Sequence, residues 1–254
     1  MAFEARIDVL LVEKKLAPSR THAQRIIAAR QVSYRPGGVW IDAVKPSLKL
    51  PRETEFAVKK GDLDRYVSRG ALKLAGAIST TGLDVTGMTA LDVGQSTGGF
   101  TDCMLQRGAA KVVGVDVGRD QLAAQLREDP RVICLEGINA RALPADLLLS
   151  HTAGRGYDLA VMDVSFISQQ KILPSLVPLL KPDGVLISLV KPQFEVGKKG
   201  VGKGGLVRDR RLYRDVEVNI RACCQRLGLD VVDYFQSPLK GGDGNREFLI
   251  YARR

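Results

Sequence analysis

The chain has 254 residues, 45% of them hydrophobic and 26% charged, and 38 Lys and Arg against 28 Asp and Glu give a formal charge of +10. That length suits one large domain or a large domain with a small appendage, and the composition excludes wholesale disorder. Apolar runs such as 184–190 fall far short of a membrane span of roughly 20 residues.

A first unit is expected over residues 1–63. Ile7, Leu10 and Leu11 recur at helical spacing up to a break at Pro18. A second short helix is expected from Ser19 to Arg30, with Ala23, Ile26 and Ile27 inward and Arg20, Arg25 and Arg30 largely outward. A Pro-Gly-Gly turn inside Tyr34–Trp40 predicts a hairpin, Glu55–Val58 predicts a strand, and Lys59–Asp62 reads as a polar linker.

From residue 69 the rhythm changes. A helix over 69–79 precedes a strand at 89–93, a Gly-rich turn and a helix near 99–107. Further strands are expected at 111–115, 131–135, 158–162 and 185–190, with helical stretches near 119–127, 144–149, 169–180 and 207–227. Two last strands, 230–234 and 246–251, have no helix between them and predict an antiparallel hairpin at a sheet edge. Alternating strands and helices with apolar strand centres predict an α/β domain over 64–254 with a doubly wound, mostly parallel sheet.

The charge is unevenly spread. Residues 1–63 carry a net +5 and residues 198–214 a net +6, which leaves the rest of the large domain about neutral. Two concentrated basic patches point to a polyanion, and the one beside a candidate active site favours nucleic acid. The first residues lack a signal-peptide layout, and four cysteines without CxxC spacing beside two histidines argue against a zinc site and for a cytoplasmic protein with free thiols.

The turn after the first large-domain strand reads Asp92-Val93-Gly94-Gln95-Ser96-Thr97-Gly98-Gly99-Phe100. It is neither the phosphate-cradling GxxxxGK[ST] nor the dinucleotide GxGxxG, which disfavours a nicotinamide oxidoreductase. An acid two residues before the first glycine suits the ammonium of S-adenosylmethionine. Asp116, ending the next strand, is placed to accept hydrogen bonds from ribose hydroxyls, and Asn139, beyond the third, is placed near an adenine. Strand ends also gather Asp163 and Lys191, with Glu247 expected to open the last strand and Lys73 on the helix before the first.

As a set, the stretches 67–74 (VSRGALKL), 91–100, 161–168 (VMDVSFIS), 190–197 (VKPQFEVG), 202–209 (GKGGLVRD) and 244–248 (GNREF) resemble the TlyA family of RNA ribose 2′-O-methyltransferases. That family is related through its catalytic domain to FtsJ-type enzymes. The resemblance implies a seven-stranded Rossmann-like methyltransferase sheet behind a small α+β RNA-binding domain like one in a ribosomal protein, the latter matched by Ser19-Arg20, Ala23 and Lys45-Pro46-Ser47. It also implies S-adenosylmethionine as methyl donor and a catalytic tetrad of Lys73, Asp163, Lys191 and Glu247. The departures are the long hairpin loop Tyr34–Gly38, Ala71 and Gln95.

Lys191 is then the base, or the group that positions the hydroxyl lone pair, with Asp163 and Glu247 orienting the two lysines. Phe166 and Phe194 are placed to stack on a flipped-out base. Arg6, Arg20, Arg25, Arg30, Arg65, Arg69, Lys198, Lys199, Lys203, Arg208, Arg210 and Arg211 are the expected RNA contacts. The substrate implied by the family is cytidine ribose in ribosomal RNA, in ribosomal subunits or assembled ribosomes. A membrane-active haemolysin, a name family members have carried, and a non-catalytic RNA-binding assembly factor are the alternatives. No apolar span supports the first, and the complete tetrad opposes the second.

Overall fold

The computed structural model describes residues 4–59, 61, 65–197 and 200–254. Its contacts divide the chain into two compact units, Met1–Arg65 and Tyr66–Arg254.

In the first unit, strand β1 (Glu4–Arg6), paired with β4 (Lys49–Pro51), leads directly into helix α1 (Ile7–Glu13). Ser19 caps helix α2 (Arg20–Ala28) by accepting a hydrogen bond from the His22 N–H. Strands β2 (Val32–Arg35) and β3 (Ile41–Asp42) form the expected hairpin, with β5 (Glu55–Val58) on the other side of β2. Ile7, Leu10 and Leu11 of α1 and Ala23, Ile26 and Ile27 of α2 are buried together with Val32, Ala43 and Leu50.

The second unit opens with α3 (Gly70–Thr81), followed by β6 (Thr89–Val93), α4 (Gly99–Gln106), β7 (Lys111–Asp116), α5 (Ala124–Arg127) and β8 (Val132–Glu136). Then come α6 (Ala145–Ser150), β9 (Tyr157–Met162), α7 (Leu173–Leu176), β10 (Leu180–Val190), α8 (Pro192–Glu195), α9 (Arg210–Arg226), β11 (Asp230–Gln236) and β12 (Phe248–Arg253). The sheet order is β11-β12-β10-β9-β6-β7-β8, parallel from β10 to β8, with β12 antiparallel to both β10 and β11. Alternate strand residues feed two cores. Leu91, Val93 and Met162 face α7 and α9, whereas Ala90, Val112 and Val161 face α3 and α4.

Three expected elements differ. The stretch 119–127 is one helical turn, because Asp120 adopts φ +55° and breaks the path before Ala124. The stretch 169–180 is a 3₁₀ turn, a short helix and a second 3₁₀ turn, interrupted at Pro174 and Pro178. The fifth strand of the parallel block reaches back to Leu180 through an irregularity around Asp183.

Candidate active site

The parallel strands β6, β9 and β10 end on one edge of the sheet, and β6 lies where the chain reverses its winding direction, the usual crevice of such folds. Asp163 follows β9 and Lys191 follows β10. Because β12 runs antiparallel to β10, with Phe248 opposite Val190, its first residues meet the same edge. Glu247 therefore arrives beside Lys191, although it immediately precedes the strand instead of opening it. Lys73 comes from α3, whose Ala71, Leu74, Ala77 and Ile78 are buried against the sheet.

The four side chains form two ion pairs. Lys73 Nζ lies 2.5 Å from Glu247 Oε2, and Lys191 Nζ lies 2.6 Å from Asp163 Oδ1 while also donating to Ser165 Oγ at 2.9 Å. Burial pushes the Glu247 carboxyl above its ordinary range, against the pull of Lys73. Lys73, Lys191 and Glu247 line a cavity of about 450 Å³ together with Phe166 and Phe194.

Asp163 faces a second cavity, of about 390 Å³, so the Lys191–Asp163 pair connects the two. This second cavity is lined by Gly94, Ser96, Asp116 and Asn139 from the sequence-predicted set, and by Gln121, Ile138 and Ile172. Gly94 has φ +86°, and a Cβ there would lie 2.4 Å from the Asp163 carbonyl oxygen, so only glycine lets the β6 turn pass this close to the end of β9. Asp116 accepts hydrogen bonds from the backbone N–H groups of Ser96 and Gly118, both at 2.7 Å, which fixes the turn around the cavity mouth.

Other predicted cofactor residues lie elsewhere. Asp92 is buried beneath the turn, where it accepts a hydrogen bond from Thr101 Oγ1 at 2.7 Å. Burial, which outweighs that bond, pushes its carboxyl up to about 7. Phe100 is packed in the core, and Thr97 is exposed off the cavity wall. Gly98 packs against Leu122 and Leu126, and Gly99 admits α3, since a Cβ there would meet Ser68 Oγ at 2.2 Å and the Ala71 nitrogen at 3.0 Å. Gly99 thus sets how closely the Lys73 helix approaches.

Phe166 is 91% exposed, with φ +66°, and its ring centroid is 5.3 Å from that of Phe194. A phenylalanine held in the left-handed region and presented to solvent marks a loop shaped for contact. Among the predicted RNA contacts, Lys203, Arg208 and Arg210 are exposed, whereas Arg211 is paired with Asp209 at 2.9 Å. Lys198 and Lys199 lie outside the described residues. Arg65, Arg69 and Arg30 are exposed and Arg25 is partly buried. Arg6 and Arg20 bind the fully buried Asp8, at 3.0 and 3.2 Å, while their own side chains stay 42% and 55% exposed.

The sequence reading missed the residues that brace this edge. Glu195 accepts hydrogen bonds from Ser168 Oγ at 2.6 Å and from the Gln169 N–H at 2.8 Å, tying the loop after β9 to the helix after β10. Buried Asn245 accepts from the Val207 N–H at 3.0 Å and donates to the Gly205 carbonyl at 2.8 Å, tying the Gly-rich basic loop to the turn before Glu247. Both sit inside the resemblance-carrying stretches, which was the available signal.

Comparison with known proteins bears directly on this edge. Residues 66–254 match the FtsJ-like methyltransferase family, and residues 5–34 match the S4 domain. The chain is 44% identical over 253 residues to the 16S/23S rRNA (cytidine-2′-O)-methyltransferase TlyA of Mycobacterium tuberculosis, covering all of this chain and 91% of that protein. The chain belongs to the TlyA branch of the FtsJ-like methyltransferases. It is accordingly an S-adenosylmethionine-dependent enzyme. Haemolysin-named proteins fall in the same family. Hemolysin A of Brachyspira hyodysenteriae is 36% identical, covering 97% of this chain and 98% of that one. A solved haemolysin-named structure from Streptococcus thermophilus superposes with a TM-score of 0.73 at 40% identity, covering 100% of this chain and 90% of that one. Among the described residues no helix is long and apolar enough to cross a membrane.

Proposed function

We infer that the enzyme methylates a ribose 2′-hydroxyl of cytidine in ribosomal RNA, acting in the cytoplasm on ribosomal subunits or assembled ribosomes. The observation that carries this reading is the Lys191–Asp163 ion pair at the junction of two cavities, with Lys73–Glu247 lining the same chamber. The relatives' substrate and the S4 match over residues 5–34 support RNA as the acceptor.

The cavity beside Asp163 fits the methyl donor. Its glycine cradle admits no Cβ at residue 94, and Asp116 and Asn139 present acceptors of the kind that ribose and adenine need. S-adenosylmethionine, when bound, supplies a sulfonium methyl that is already electrophilic. The protein's remaining tasks are alignment and proton removal, and alignment supplies much of the rate. The Lys191 ammonium donates to the 2′-hydroxyl oxygen and orients its lone pair toward the methyl group, the hydroxyl proton leaving to solvent as the methyl is transferred. Asp163 and Ser165 fix the Lys191 ammonium on one side. Glu247 fixes Lys73, whose ammonium favours the developing oxyanion. Phe166 stacks on the extruded base, Phe194 supports it, and Lys203, Arg208 and Arg210 contact phosphates.

Mapping of 2′-O-methyl groups on ribosomal RNA, from cells with and without the protein and with Lys191→Ala, tests this. New methyl groups with the wild type and none with Lys191→Ala, at unchanged S-adenosylmethionine affinity, are expected. Wild-type methylation by Lys191→Ala would overturn the assignment.

A further inference from the structure

A third cavity, of about 830 Å³, lies beside the first two and is lined by Arg141, Phe166, Ser168, Lys171, Gln193 and Phe194, among others. It shares Phe166, Gln193, Phe194 and Val201 with the tetrad cavity, and Phe166 and Ile167 with the Asp163 cavity. The three cavities therefore adjoin at Phe166, like branches of one cleft. A nucleotide whose ribose lies at Lys191 has its methyl donor on one branch, so the chain that continues from it needs the other.

The chemistry of that branch is specific. Among the described residues its lining holds two cations, Arg141 and Lys171, and no carboxylate. Both are exposed, and among the described residues neither has an ion-pair partner. Their backbones are nevertheless fixed. Asn139 Oδ1 accepts the Arg141 N–H at 3.0 Å, which ties this cation to the wall of the Asp163 cavity. Lys171 ends a 3₁₀ turn whose start, Ser168-Gln169, is held by both carboxylate oxygens of Glu195. With its charge committed to that loop, Glu195 binds the turn in place and leaves Lys171 free for an anion. Between the cations and the tetrad stand the rings of Phe166 and Phe194, an apolar wall with cationic ends. That combination fits a base with its phosphate.

We propose that this groove is a subsite for the nucleotide adjoining the methylated one, with its phosphate held by Arg141 and Lys171. The proposal rests on the reading of the substrate as RNA and adds two contacts from the part of the chain that is otherwise about neutral. Arg141 and Lys171 belong to neither basic concentration, and only the fold brings them together across 30 residues of sequence.

The test is binding and methylation of unmodified ribosomal subunits by the full chain carrying Arg141→Gln, Lys171→Gln or both, with Arg226→Gln, on the far end of α9, as a general-charge control. Each phosphate neutralised on a single strand contributes about 0.7 to the salt slope, so the double variant, which releases one phosphate, should lose about 0.7 and bind roughly fourfold more weakly at 0.15 M salt. The KM for subunits rises, kcat at saturating subunits is retained, and S-adenosylmethionine affinity is unchanged. Wild-type affinity and slope in the double variant would overturn the subsite, as would an equal loss from Arg226→Gln. A parallel loss of S-adenosylmethionine affinity would also overturn it, by assigning the pair to the donor cavity. Failure of the broader reading shows differently, as wild-type protein that adds no 2′-O-methyl group.

Discussion

Removing either partner of the Lys73–Glu247 pair tests whether the two act as one unit. The charges are 2.5 Å apart, with side chains only 11% and 3% exposed. At an effective dielectric of about 20 their attraction is about 7 kcal/mol, much of it offset by desolvation. Breaking a buried pair usually costs about 3–5 kcal/mol, because the remaining ion is left unpaired. Glu247→Gln leaves the Lys73 ammonium in partial contact with water, so about 3 kcal/mol is expected, a fall in Tm of about 6–12 °C for a unit of this size. Lys73→Met should cost less. The abandoned Glu247, already displaced upward by burial, is relieved by taking up a proton, so its penalty shrinks as pH falls from 7 to 5.5. The double variant Lys73→Met/Glu247→Gln leaves no unpaired charge and should cost far less than the sum of the two. Thermal unfolding followed by far-ultraviolet circular dichroism at both pH values measures all three. Strictly additive costs, or a Lys73→Met penalty independent of pH, would refute the argument. Methyl transfer should be lost in all three variants, including the stable double, which separates the catalytic role from the structural one.

Gly94→Ala would force its methyl to 2.4 Å from the Asp163 carbonyl at a left-handed φ. Calorimetric titration should show S-adenosylmethionine affinity reduced at least tenfold, and unchanged affinity would contradict the cradle. Asp8 is buried, which works to raise its pKa, but hydrogen bonds from Arg6, Gln24 and Arg20 together hold it at about 2. Its contribution, about 2 kcal/mol, is fully present above pH 4 and is lost as pH falls toward 2. Fluorescence of Trp40, the single tryptophan and part of the small unit, should follow this acid transition, and Asp8→Asn should be less stable than wild type at pH 7 but not at pH 2. Asp92 has the opposite sign. Its carboxyl titrates near 7 in the folded state, so the folded protein binds the extra proton and stability declines as pH rises from about 4 to 7. Denaturant titrations of Asp92→Asn should show a flatter pH profile across that window.

The sheet was legible because its strands are nearly continuous apolar runs bounded by Gly, Asp and Lys. Such runs mark strands buried on both faces. The helices over 119–127 and 169–180 were not, since periodicity does not register a single positive φ at Asp120 or the prolines at 174 and 178. The tetrad was legible by strand-end position together with family resemblance, but its pairing was not. Lys191 meets Asp163 because β10 lies parallel beside β9, and Glu247 meets Lys73 because β12 runs antiparallel to β10 while α3 packs on the sheet, both long-range facts. Charge counting was the weaker guide. It took Arg6 and Arg20 as RNA contacts without registering the buried Asp8 that also engages them, and passed over Arg141 and Lys171, which lie in a neutral stretch.

The same comparison changes what the family-bearing stretches record. In 202–209 and 244–248 the residue with the most demanding environment is Asn245, which satisfies the Val207 N–H, the Gly205 carbonyl and Asp243 from a buried position. In 190–197 it is Glu195, which holds the Phe166 loop. In 91–100 it is Gly99, which admits the Lys73 helix, and Gly94, which admits the end of β9. These braces therefore lie beside the tetrad residues in the fold, and they join segments far apart in the chain. Replacing a brace should displace chemistry without touching a reacting group, so the spacing of these motifs encodes the geometry of the crevice as much as its reactivity.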